Sequence, residues 1–132
     1  MQLERLYDMK HYTGKKCEFD GYTFDSIPEK DYYIELKQNL RVDKLTVHPS
    51  FILLDGFRNN EGKSVRSIKF KPDFMYILNG IKYIVDIKPL NKKLIETDFT
   101  LRWKLLQSMY RDEDIRFRLI AWDSKLRKFV EI

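Results

Sequence analysis

The sequence predicts an α+β fold in which helices flank a mixed central β-sheet. Three observations carry that expectation. Two stretches show helix signals and helical spacing, one opening at Ser26-Ile27-Pro28 and one at Thr97. Short runs rich in β-branched and aromatic residues surround them, and "DFMYILNGIKYIVDI" is the clearest. The order is helix, several strands, helix, strands, which suits helices layered on one sheet. A chain of 132 residues, 43% hydrophobic and 14% aromatic, is expected to form one domain, 1–132, with a substantial core.

Each element has its own local warrant. Residues 1–15 stay open between a short helix around Leu3, Leu6 and Tyr7 and irregular chain. "KCEFDGYTFDS" reads as a small hairpin turning at Asp20-Gly21. "SIPEKDYYIELKQNL" reads as a helix: Ser26 is a good N-cap, Pro28 suits the first turn, and Ile27, Tyr33, Leu36 and Leu40 are roughly helically spaced. "VDKLTVHPSFILLDGF" makes one or two strands, interrupted at His48-Pro49, and "RNNEGK" is a loop. "VRSIKFKPDFMYIL" and "IKYIVDIKP" are strands joined by Asn79-Gly80, and "NKKLIETDF" is a connection. In the second helix, "TDFTLRWKLLQSMY", Phe99, Trp103, Leu106 and Tyr110 share a stripe that reads as core rather than as a base-stacking platform. "IRFRLIAW" and "LRKFVEI" close the chain as strands about a turn near Asp123-Ser124. Arg116 and Arg118, alternating with Phe117 and Leu119, read as the polar side of an exposed strand.

Bulk properties narrow the class. A net charge of +5 suits a polyanionic partner without identifying one. The single cysteine, Cys17, leaves no internal disulfide and no cysteine-based metal site. It fits a reducing, cytoplasmic setting and reads as a small apolar filler. The N-terminus lacks the apolar run of a signal peptide, and nothing approaches the roughly 20 apolar residues of a membrane span. No membrane partner is expected.

The sharpest feature lies at the open end of the Asn79-Gly80 hairpin. A two-residue type I′ turn there would pair Leu78 with Ile81, Tyr76 with Tyr83 and Phe74 with Val85. Asp73 then stands opposite Asp86, and Lys88 shares the face of Asp86 while Ile87 points the other way. Like charges directly opposed across strands are destabilising, so two carboxylates there call for a divalent cation. With a lysine beside them they suit metal-assisted hydrolysis of a phosphodiester. Glu29 is a further carboxylate if the first helix packs beside the hairpin. Its competing role is a capping box, Ser26-Ile27-Pro28-Glu29. Asp86 and Lys88 also have a plain reading, as the polar end of a strand. Asp20 and Asp25 read as turn residues, and His11 and His48 as structural or solvated.

At these residues the chain resembles the PD-(D/E)XK nuclease superfamily. It is most similar to small phage and prophage proteins with the pattern DG-x-x-FDS-x-x-E, then P-x-F, then DF and D-x-K. Here these are Asp20-Gly21, Phe24-Asp25-Ser26, Glu29, Pro49 with Phe51, Asp73-Phe74, and Asp86 with Lys88, within residues 15 to 121. Such proteins are regarded as resolvase-type endonucleases. The resemblance implies a restriction-endonuclease-like core and a magnesium-dependent endodeoxyribonuclease acting on branched DNA such as the Holliday junction. It implies that Asp73 and Asp86 hold Mg²⁺ or Mn²⁺, with the main-chain carbonyl of Ile87 and with Glu29, directly or through water. Lys88 would orient the attacking water. The family's Gln-x-x-x-Tyr element is one residue short here, at Gln107 to Tyr110. A two-fold junction cut on two strands implies a homodimer. Arg102, Lys104 and Arg111 are candidate DNA contacts, or simply solvate the second helix. The rival functions are a nickase, a nuclease subunit of a transposase or restriction system, and a non-catalytic DNA-binding protein on a nuclease fold.

Overall fold

Strand alternation along the Asn79-Gly80 hairpin organises the molecule, described here by a computed structural model of residues 15–132. The stretch left open around Leu3, Leu6 and Tyr7 lies outside the described residues, and so does His11. Asn79 and Gly80 take φ of 51° and 80°, the pair of positive values a type I′ turn requires. The two strands flanking them, β8 (Phe74–Leu78) and β9 (Ile81–Ile87), pair in the expected register, Phe74 with Val85, Tyr76 with Tyr83 and Leu78 with Ile81. The rings of Tyr76 and Tyr83 stack across it at 5.4 Å.

The remaining elements build around this hairpin. In chain order they are β1 (Cys17–Phe19), β2 (Tyr22–Phe24), α1 (Ile27–Gln38), β3 (Val42–Val47), β4 (Phe51–Leu54), β5 (Phe57–Arg58), β6 (Ser64–Val65) and β7 (Ile68–Phe70). After β9 come a 3-10 turn (Lys92–Leu94), α2 (Thr97–Met109), β10 (Ile115–Asp123) and β11 (Lys128–Glu131). The central sheet is mixed, in the order β11-β10-β9-β8-β3. β9 and β10 are parallel and the other neighbours antiparallel. A parallel neighbour needs a crossover, and α2 lies within it. The fold is α+β.

Adjacent residues of β9 serve opposite faces. Val85 joins Phe74, Tyr76 and Phe24 under Tyr33 and Leu36 of α1. Ile84 joins Phe70 under Trp103 and Leu106 of α2. The stripe on α2 is therefore core, as its spacing predicts. α1 starts where Ser26 Oγ accepts the Glu29 N–H at 3.3 Å. It stops earlier than expected: Asn39 caps it, donating to the Leu36 carbonyl at 3.2 Å. Leu40 falls past that cap and is 99% exposed, so it is not part of the helical stripe.

Residues 50–71 differ most from expectation. "VRSIKFKPDFMYIL" is not one strand but three, β6, β7 and β8. Pro72, without an N–H, separates β7 from β8. β4 pairs with β7 and β5 with β6, outside the central sheet, as a bent arm. Gly56 marks the bend, where a Cβ would stand 3.3 Å from the Val65 carbonyl oxygen. The arm's inner end packs on α2 through Phe51 against Tyr110 and Phe70 against Phe99 and Trp103. Among the described residues, no helix is long and apolar enough to cross a membrane.

Candidate metal centre

Beyond the Phe74–Val85 pair the ladder changes character. Continued, it would ask Pro72 to exchange hydrogen bonds with Ile87, and Pro72 has no N–H to give. The Asp73 side chain takes over: its Oδ2 accepts the Ile87 N–H at 2.7 Å. On the other side the Asp73 main-chain oxygen accepts the His48 N–H at 2.9 Å. Asp73 is thus held between both neighbouring strands. Asp86 follows Val85 on β9 and forms an ion pair with Lys88, Oδ1 to Nζ 3.0 Å. Lys88 is fixed twice more, by its N–H to the Ile120 carbonyl at 2.8 Å and by its ammonium 3.6 Å from the centre of the Phe99 ring. Ile87 points to the opposite, α1 face.

Glu29 comes from the first turn of α1 and reaches the same strand end. Its two oxygens have different duties. Oε2 accepts the Asp25 N–H at 3.1 Å, and Oε1 lies 2.6 Å from His48 Nε2. The capping competition therefore resolves as a division: one oxygen serves the helix start and the other faces the site.

Glu29, Asp73 and Asp86 are 2%, 9% and 4% exposed, and with Ile87, Lys88 and Phe99 they line one cavity of about 310 Å³. Burial lifts the Asp73 carboxyl well above the usual carboxylate range, and the charges of Asp86 and Glu29 add to it; the Ile87 N–H and Lys88 pull against the rise. Burial likewise raises Asp86, against Lys88 and hydrogen bonds from Asp73. Burial raises Glu29, against its hydrogen bond with His48. Three buried carboxylates around one ammonium are an unfavourable arrangement on their own. The donor set fits a divalent cation. Glu29, His48 and Asp73 each offer a ligand atom within 4.8 Å of the others, and Asp86 flanks Asp73 from the Lys88 side. Carboxylate oxygens suit Mg²⁺ or Mn²⁺, and His48 Nε2, engaged by Glu29 Oε1, orients that carboxylate.

His48 is the site residue that the sequence reading placed elsewhere, as structural or solvated. Its position follows from a bulge. β3 pairs with β8 as Val42–Leu78 and Asp43–Ile77, then slips to Thr46–Met75 and Val47–Phe74. Lys44, at φ 50°, absorbs the extra residue. The next step in the slipped register sets His48 beside Asp73. Without the slip Val47 would face Asp73, and every later side chain would point to the other face. The one sequence signal was the break at His48-Pro49.

The basic residues singled out on the second helix are not brought to the site. Arg102, Lys104 and Arg111 are exposed, and Lys104 and Arg111 border a separate depression with Gln107 and Tyr110. Gln107 donates to the Trp103 carbonyl of its own helix at 3.4 Å. Phe99, read only as core, also carries the Lys88 ammonium.

Over residues 9–129 the chain matches a family described as a protein of unknown function, DUF1064. No curated protein and no solved structure matches it.

Proposed function

We propose that the chain, which belongs to the DUF1064 family, is a metal-dependent endonuclease that hydrolyses phosphodiester bonds in branched DNA, as a Holliday-junction resolvase does. The observation that carries this reading is the convergence of Glu29, Asp73, Asp86 and Lys88 on one buried strand end. The same four residues carry the resemblance to PD-(D/E)XK nucleases.

Asp73, Asp86, Glu29 and the Ile87 carbonyl would hold Mg²⁺ or Mn²⁺. Bound there, the ion supplies Lewis-acid stabilisation of charge on the phosphoryl oxygens and lowers the pKa of a bound water. Lys88 presents an ammonium held between Asp86 and the Phe99 ring. From that position it orients a water for in-line attack and offsets developing negative charge. His48 holds Glu29 Oε1 and so aims the carboxylate at the cavity. Two such sites, one per protomer of a homodimer, would cut the opposed strands of a two-fold junction. Such a DNA substrate places the enzyme in the cytoplasm, that of the host if a phage encodes it.

The test is incubation with labelled four-way junction, linear duplex and single strand in Mg²⁺, Mn²⁺ or EDTA. Paired cuts in the junction, dependent on metal, are expected. Equal cutting of linear duplex would favour a nickase or a restriction- or transposase-type subunit. Binding without cutting in either metal would favour a non-catalytic DNA-binding protein.

A further inference from the structure

The chain leaves the central sheet at His48 and re-enters it at Asp73, so the arm between them is rooted at both ends on the candidate site. Its inner half is anchored on α2 by Phe51 and Phe70. Its outer half, β5 and β6, has no buried residue. So short a pair of strands gains little from packing on itself. The tip is ordered instead by Asn59, whose side-chain oxygen accepts the Glu61 and Lys63 N–H groups at 2.9 and 3.0 Å. The outer half is a shaped projection in which no side chain of β5 or β6 is buried against the rest of the described chain.

Charge indicates the partner. Residues 50–71 hold five basic and two acidic side chains, a net +3 out of +5 for the whole chain. Among the described residues, Arg66, Lys69 and Lys71 make no ion pair. Lys69 and Lys71 flank Phe70, whose ring is buried toward α2, and both are exposed. Residues 97–114, which contain Arg102, Lys104 and Arg111, hold three basic side chains against four acidic ones. The cavity's three acidic side chains and one ammonium give it little attraction of its own for a phosphodiester, so the cations beside it are the groups that would draw in a polyanion. A second copy of the chain on the same face would set like charge against like.

We propose that this arm, through Arg66, Lys69 and Lys71, grips the sugar-phosphate backbone next to the scissile bond, and that α2 does not. The inference rests on the nuclease reading and names the surface that would deliver substrate to that site.

The experiment measures junction affinity by fluorescence anisotropy across a salt series in EDTA, where no cutting occurs. The triple variant R66Q/K69Q/K71Q is compared with R102Q/K104Q and the unaltered protein. Manganese binding by electron paramagnetic resonance reports whether each protein keeps its site. The arm variant should lose at least about tenfold in affinity, and its slope of log K against log salt should fall by roughly 0.9 for each contact removed. Its manganese binding should not change, and the helix variant should bind junction like the unaltered protein. Unchanged affinity and slope in the arm variant would overturn the inference and leave the nuclease reading standing. So would an equal loss in the helix variant. Failure of the unaltered protein to bind junction in EDTA would overturn the inference, whereas failure to cut it in Mg²⁺ or Mn²⁺ would overturn the nuclease reading. Should the triple variant melt early, the three single substitutions, each at an exposed side chain, carry the same comparison.

Discussion

The two flanks of β8 reach the same aspartate by different routes. On the β9 side a two-residue turn sets a register unbroken from Leu78–Ile81 to Phe74–Val85, and Asp86 falls beside Asp73 at the next step counted from Asn79-Gly80. On the β3 side the register slips by one residue, and only that slip brings His48 to Asp73. The β9 flank supplies a carboxylate and the ammonium that would act on substrate. The β3 flank supplies an imidazole that touches Glu29 at 2.6 Å. A continuous ladder thus leads to the groups closest to the proposed chemistry, and a bulged one leads to the imidazole that holds Glu29.

That division can be broken from either side. The largest effect is expected at Asp86→Asn: cleavage should fall to background with the fold retained, because a neutral amide is a poorer ligand for a hard cation. Full activity would remove the β9 flank from the chemistry. Lys88→Ala should cost roughly 10²–10³-fold in single-turnover rate, by removing charge stabilisation at the phosphoryl group. Junction affinity should change little, since most affinity comes from many phosphate contacts. Equal losses in rate and affinity would reduce Lys88 to one such contact.

On the other flank His48→Ala should cost about 10–100-fold in metal affinity or activity, the usual effect of losing a residue that orients a ligand. Added Mn²⁺ should recover much of the loss. A titration identical to that of the unaltered protein would leave the β3 flank with packing alone.

Asp73, shared by both flanks, allows a test of stability. Its pKa is raised in the folded state, first by burial and then by Asp86 and Glu29. Its charged form therefore costs stability once pH rises above the unfolded value, and the cost grows until pH passes the folded value. Asp73→Asn removes that cost, and the amide oxygen can still accept the Ile87 N–H. In EDTA near neutral pH the variant should melt above the unaltered protein. Cation at one hundred times its Kd should add about 2.7 kcal/mol to the unaltered protein and little to the variant. A variant that melts lower in EDTA would mean Asp73 is structural first.

The smallest effect belongs to the turn. Gly80→Ala places a Cβ at φ 80°, which should cost about 1 kcal/mol and a few degrees of melting temperature. Metal binding should persist, because the remaining β8–β9 pairs and the α1 and α2 cores still hold the register. Loss of metal binding in a folded variant would show that the turn alone sets the β9 flank.

What was legible in the sequence is what neighbours along the chain decide. Asn79-Gly80 dictates its own backbone, so the hairpin, the facing of Asp73 and Asp86, and the shared face of Asp86 and Lys88 could all be counted. Ser26 and Pro28 announce α1, and the spacing of Phe99, Trp103, Leu106 and Tyr110 announces α2, because caps and periodicity act within a few residues. Tertiary structure decided the rest. It brought Glu29 around from the α1 layer and divided its oxygens between a helix start and a histidine. It folded residues 50–71 out of the sheet and placed His48 through a bulge at a lysine rather than a glycine. Those outcomes depend on registers and packings between segments far apart in the chain. There a slip of one residue reverses every side chain while leaving the local sequence pattern unchanged.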